Sequence, residues 1–194
     1  MLKYTLLLLF FFSGSHAFAQ VQILIVYHSE SGHTEMMAQS VSDGAQSVDG
    51  VDVQLRTTKN VTQDELLRAD AIIVGSPVYN ANVTPEISSF IASWPFEDQP
   101  LKNKIGAAFV TAGGISAGEE IVQMNILQSM LIFGMIVVGG PDWTQPFGAS
   151  AVTGEPPFRV GDNSKLNQLF LDKGYKLGER VAEVSSAFHQ TNSH

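Results

Sequence analysis

Residues 21–34 read Val-Gln-Ile-Leu-Ile-Val-Tyr-His-Ser-Glu-Ser-Gly-His-Thr. Val21 to Tyr27 is a nearly continuous apolar run of one strand's length, the pattern of a strand covered on both faces. Ser29 to Thr34 then brings short hydroxyl side chains and a glycine. Behind them Met37, Val41, Ala45 and Val48 recur at helical spacing. A buried strand, a short polar turn and an amphipathic helix form the opening unit of a parallel α/β sheet.

The same alternation continues to the C-terminus. Val51 to Arg56 alternates as a half-buried strand, and Thr62-Gln63-Asp64-Glu65 is a capping box that opens a short helix. Ala71 to Gly75 is a third strand. Thr84 caps a further helix with Pro85 at its first position, and Ile87, Phe90, Ile91 and Trp94 form its buried stripe. Ile105 to Val110 is strand four, Glu119 to Phe133 a helix apolar on more than one face, and Met135 to Val138 strand five. Leu166, Leu169, Phe170, Leu177, Val181 and Val184 pattern a final helix. Right-handed crossovers between these elements predict an α/β three-layer doubly wound parallel sheet of strand order 2-1-3-4-5. The stretch from Gly139 to Asp162, rich in Gly, Pro and aromatics, is expected to be a long loop, functional or disordered; Trp143, Phe147 and Phe158 form a lid for the acceptor or, equally, pack under the loop or in a dimer contact.

Residues 1–19 read as a leader rather than as part of the domain. Lys3 is followed by the apolar run Leu6 to Phe12, too short to span a bilayer, and Ala17-Phe18-Ala19 offers a signal-peptidase site before Gln20. A signal peptide over 1–19 and one domain over 20–194 follow, with export and a periplasmic location as the expectation. Lys3 is the only charged residue of that leader, so the net charge of −8 becomes −9 without it. Such an acidic surface disfavours nucleic acid and anionic membranes; it suits a basic redox partner, or, more commonly, serves only solubility. The chain contains no cysteine, which excludes disulfides, thiolate metal sites and cysteine nucleophiles.

In an open α/β sheet ligands bind beyond the carboxyl ends of the strands, where the strand order reverses. Here that lies between strands one and three, which directs attention to three connections. Ser29-Glu30-Ser31-Gly32-His33-Thr34 combines hydroxyls, a glycine and a helix start, the set that holds a phosphate; a plain capped helix start has the same composition. It lacks the Lys of a P-loop and the spacing of a dinucleotide fingerprint, which favours a phosphomonoester. Gly75-Ser76-Pro77-Val78-Tyr79-Asn80-Ala81-Asn82 offers an aromatic face and amides, or an ordinary turn. Thr111-Ala112-Gly113-Gly114-Ile115-Ser116-Ala117-Gly118 lets backbone lie against a flat ligand. His33 could offset phosphate charge, although a solvated side chain is the commoner state of a histidine at a helix start.

These segments resemble known ones. The first is similar to the flavodoxin phosphate loop. Gly75-Ser76-Pro77-Val78-Tyr79-x-x-Asn82, Thr111-Ala112-Gly113-Gly114, Gly134-Met135 and Phe147-Gly148-Ala149-Ser150 resemble segments of the flavodoxin-like NAD(P)H:quinone oxidoreductases of the tryptophan-repressor-binding-protein type, and of NADPH-dependent FMN reductases. The resemblance implies FMN bound without a covalent link, NAD(P)H as donor and a quinone-like small acceptor. It places Ser29, Ser31, Gly32, His33 and Thr34 on the phosphate. Pro77, Val78, Tyr79, Asn80 and Asn82 fall on one side of the ring, and Thr111, Ala112, Gly113 and Gly114 on the other. No metal site and no catalytic acid–base residue are expected. Tyr79 stands where those reductases carry Arg, Asn80 where they carry an aromatic, and Phe133 where they often have a ring-side His. The segment between strands two and three is shorter than theirs, where an insertion helps to build a tetramer. The implied activity is FMN-dependent electron transfer from NAD(P)H to a quinone, with a homodimer or tetramer in view. A non-enzymatic flavodoxin-like electron carrier docking on a periplasmic or membrane partner is the alternative.

Overall fold

A computed structural model describes residues 20–161 and 164–192; the leader read in residues 1–19 lies outside the described residues. The elements run β1 (Val21–Tyr27), α1 (His33–Gln46), β2 (Val51–Thr57), α2 (Gln63–Arg68), β3 (Ala71–Pro77), α3 (Pro85–Ala92), β4 (Ile105–Ala112), α4 (Glu119–Ile132), β5 (Ile136–Val137), β6 (Ala149–Val152) and α5 (Gln168–Asn192). The sheet is parallel throughout, in the order β2-β1-β3-β4-β5, with β6 also paired to β4. The order read from the sequence is the order found.

Alternation explains why β1 is apolar on both sides. Ile23, Ile25 and Tyr27 enter one core with Ile73 and Phe109, under α1 and α5. Leu24 and Val26 enter the other with Ile72, Val74 and Val110, under α2, α3 and α4. β2 is the edge strand: Val51, Val53 and Leu55 pack on the first core while the whole strand stays half-buried. The capping box of α2 is complete, since Glu65 N–H donates to Thr62 Oγ1 at 3.2 Å and Thr62 N–H to Glu65 Oε2 at 2.8 Å. α1 and α5 approach closely. A Cβ on Gly44 would overlap the carbonyl of Tyr175, and one on Gly178 that of Val41.

Two expectations change. The fifth strand position is shared by two segments: β5 pairs with Ile105–Gly106 and β6 with Phe109–Ala112, so the chain leaves the edge after β5 and returns to it. The stretch from Gly139 to Asp162 is therefore not one loop (Asp162 itself lies outside the described residues). Gly148 fixes the return, because a side chain there would meet the carbonyl of Ala108. Of the two readings of the three aromatics, packing rather than a common lid holds for Phe158. Phe158 packs edge-on against Phe170, centroids 4.9 Å apart, whereas Trp143 and Phe147 belong to the excursion between β5 and β6. Trp143 there is 86 % exposed.

Candidate functional site

The carboxyl ends of β1, β3 and β4 carry the connections singled out above, and they meet. Pro77, Thr111 and Ala112 are the last residues of β3 and β4 rather than loop residues, with Pro77 opposite Thr111 in the register. Val78 N–H donates to Thr111 O at 2.8 Å. The buried hydroxyls of Thr34 and Thr111 lie 2.7 Å apart, which ties the start of α1 to the end of β4. Thr34 thus spends its side chain inside the protein and offers an anion only its backbone N–H.

The connection after β1 is open to an anion in a way that two other helix starts are not. α2 and α3 are capped by Thr62 and Thr84 side chains, but α1 begins at Gly32 with φ of 83° and no side-chain cap. Its first N–H groups are directed at the space beyond β1, with the positive end of the helix dipole behind them. Ser29 Oγ is buried there without a hydrogen-bond partner. α4 also begins at an uncapped glycine, Gly118, yet its first residue is the buried Glu119, a carboxylate that already suits that dipole. In α1 the first-turn acid, Glu35, is engaged with the hydroxyl of Tyr27, which donates at 3.2 Å.

His33 is not solvated, contrary to the commoner pattern. It is 6 % exposed, with Nδ1 3.0 Å from Ser31 Oγ and Nε2 3.0 Å from the carbonyl of Gly161. The segment after β6 supplies that carbonyl and thereby joins the site. It also bonds to the third connection: Gly154 N–H donates to Gly113 O, and Glu155 Oε2 accepts from Ile115 N–H at 2.7 Å.

Tyr79 to Asn82 is a tight hairpin, with paired bonds between Tyr79 and Asn82 and with Asn80 and Ala81 at φ of 53° and 58°. Two positive φ values in succession are those of a type I′ turn. Asn82 Nδ2 donates to Asn80 O at 2.7 Å, which braces the turn from within. The tip touches the third connection, where a Cβ on Gly118 would overlap Ala81. The Tyr79 hydroxyl donates to Glu30 Oε2 at 3.0 Å, linking the hairpin to the first connection. Burial, then the bond to Glu30 and its charge, push the Tyr79 hydroxyl above the usual phenol range. His28 Nε2 stands 3.6 Å from Glu86 and 3.9 Å from Glu30. Glu86 is held below the usual carboxylate range, chiefly by a hydrogen bond from its own backbone, with smaller help from His28 and Lys59. Gly113 faces open space: a Cβ there would meet nothing within 4 Å, so packing does not demand a glycine at that position.

Phe133 does not join the site. It stands at the far end of α4, with its ring 5.3 Å from Trp94 and 5.8 Å from Phe96. Fourteen helical residues separate it from the ligand edge, about 20 Å at 1.5 Å per residue. Among the described residues no cluster of His, Asp and Glu could hold a metal ion.

A phosphomonoester fits the first connection, by the uncapped N–H groups and the orphaned Ser29 hydroxyl. A flat ring fits the glycine-faced third connection beside the hairpin. The fold and this edge define a flavodoxin-like flavoprotein. The family model of NADPH-dependent FMN reductases matches residues 19–149. A flavodoxin from Aquifex aeolicus is 33 % identical, covering 86 % of this chain and 88 % of that protein. An NAD(P)H dehydrogenase (quinone) from Acidovorax ebreus is 31 % identical, covering 85 % and 96 %. Among solved structures, a WrbA-like flavodoxin from Agrobacterium tumefaciens superposes with a TM-score of 0.71 at 22 % identity, over 87 % of this chain and 99 % of that one, and agrees in fold. The chain belongs to the NADPH-dependent FMN reductase family. It is an FMN-dependent oxidoreductase, with NAD(P)H as the donor that membership assigns.

Proposed function

We propose that this protein is an exported, periplasmic reductase that takes electrons from NAD(P)H and delivers them in pairs to a quinone or another small flat acceptor. The observation that carries the reading is the convergence of an uncapped α1 start, an orphaned Ser29 hydroxyl and the glycine-faced end of β4 at one sheet edge. FMN, when bound, supplies the redox chemistry, and the protein supplies orientation and electrostatics.

The N–H groups at the start of α1, with Ser29, Ser31, Gly32 and His33, would hold the phosphate. Thr34 would contribute its backbone, its hydroxyl remaining on Thr111. The hairpin of Tyr79, Asn80 and Asn82, following Pro77 and Val78, would flank one side of the ring. Thr111, Ala112, Gly113 and Gly114 would flank the other. Tyr79 and Ile115, both exposed, leave an apolar rim for a flat acceptor. Relatives named NAD(P)H dehydrogenase (quinone) support that acceptor class. The leader in residues 1–19 supports export. Ile121, Leu131 and Ile132 on the outer side of α4 support self-association into a homodimer or tetramer.

The second reading is an electron carrier, favoured by the net charge of −8 and by the relative named flavodoxin. Steady-state oxidation of NADH and NADPH by the FMN-loaded protein, with and without benzoquinone, separates the two. Quinone-dependent turnover supports the reductase, and reduction without turnover supports the carrier. Mass spectrometry of the periplasmic fraction tests export: an N-terminus at Gln20 supports it, and an intact Met1 in the cytoplasm contradicts it.

A further inference from the structure

The carbonyl of Gly161 can only accept, so His33 Nε2 must carry a hydrogen to bond it at 3.0 Å. In a neutral imidazole that leaves Nδ1 as an acceptor. Ser31 must then donate its hydroxyl hydrogen to Nδ1, 3.0 Å away, and turns only lone pairs to any other neighbour. Toward a phosphate oxygen that Ser31 is repulsive. A protonated imidazole reverses the bond: Nδ1–H donates to Ser31 Oγ, and the hydroxyl hydrogen is released for the phosphate.

The charged side chains nearby are bonded elsewhere, although Arg159, whose partner is a neutral carbonyl, keeps its positive charge. Glu30 accepts from Tyr79, Glu35 from Tyr27 and Glu155 from Ile115 N–H, while Arg159 donates to Gly154 O. Among the described residues no carboxylate oxygen lies within 4 Å of a His33 ring nitrogen; Asp162, next to Gly161, lies outside them. The imidazole is buried and held at both nitrogens, so it cannot turn away to solve the conflict.

We infer that His33 is a positioning residue that acts on the flavin phosphate through Ser31, and that binding the phosphate draws one proton from solvent onto His33. The inference rests on the reading of residues 29–34 as the phosphate loop. It gives this loop, which contains no Lys or Arg, a cation that exists only when the phosphate is present.

The test is the dissociation constant of the apoprotein for FMN and for riboflavin, which lacks the phosphate, between pH 6.5 and 8.5. Uptake of one proton on binding weakens binding as pH rises, by up to about tenfold per pH unit. We expect FMN affinity to fall by about tenfold or more across this interval, and riboflavin affinity to change by less than about twofold. The free phosphate titrates near pH 6, and His33→Gln shares that titration while lacking the linkage, so the variant should show a flat FMN profile. Asp162→Asn should keep the wild-type slope. Imidazole 15N spectra of the wild type at pH 7.5 need no variant: the ring should go from one protonated nitrogen to two when FMN is added. A flat wild-type FMN profile, a slope retained in His33→Gln or lost in Asp162→Asn, or an unchanged imidazole spectrum would overturn the inference. Equal affinity for FMN and riboflavin would instead remove the phosphate-loop reading beneath it.

Discussion

Ser29 and His33 stand four residues apart and differ in how their burial is satisfied. The Ser29 hydroxyl is buried without a partner, which costs about 1–3 kcal/mol until a ligand satisfies it. Ser29→Ala should therefore leave the apoprotein unchanged or up to about 1 kcal/mol more stable, while weakening FMN binding about five- to tenfold. Thermal melts with and without FMN check both signs at once; a large loss of apoprotein stability would mean that the hydroxyl has a structural partner. Tyr27 gives a pH prediction. Burial, and then the charge of and bond to Glu35, raise its hydroxyl to about 12 from an ordinary 10. Between those values the folded state keeps a proton that the unfolded chain has lost. Stability present below pH 10 is thus lost as pH rises toward 12, by up to about 2 kcal/mol. Urea titrations should show a larger loss in the wild type than in Tyr27→Phe, which keeps the part due to Tyr79. The turn and helix start at residues 29–34 could be read from sequence because hydroxyls and glycine at a helix start have local causes. The burial of His33 could not, since its partner is a carbonyl 128 residues away and every residue type carries a carbonyl.

At the scale of elements, α1 and α5 pack backbone against backbone at Gly44 and Gly178. Gly178→Ala should lower stability by about 1–3 kcal/mol through overpacking, seen as a lower denaturant midpoint, with FMN affinity unchanged because the contact lies away from the sheet edge. An unchanged midpoint would show that the helices can part without cost. The helices α2 and α3 were legible to the residue at their starts because a Thr cap and a following Glu or Pro act within one turn. The strand Ala149–Val152 was not. Ala and Ser have little β preference, and what makes the segment a strand is the open edge of β4 together with the close approach at Gly148. Residues 153–161 were read only as part of one long loop, and their contacts with His33, Gly113 and Ile115 were missed for the same reason: their placement follows from β6.

Across the whole molecule, one parallel sheet buries apolar residues on both faces and leaves polar connections only where its strands end. That division makes the strand order recoverable from hydrophobic pattern, and with it the edge where a ligand binds. The outer side of α4 presents Ile121, Leu131 and Ile132 to solvent. Light scattering of the purified protein should return a multiple of the monomer mass, and Ile132→Glu should reduce it; a monomer at micromolar concentration would contradict self-association. The claim on which the rest depends is that FMN occupies the edge between β1, β3 and β4. The measurement is the absorbance spectrum of the mature protein after addition of FMN and desalting. Flavin bands should stay with the protein in one-to-one ratio and weaken in Ser29→Ala. A protein that emerges colourless after incubation with micromolar FMN would contradict it.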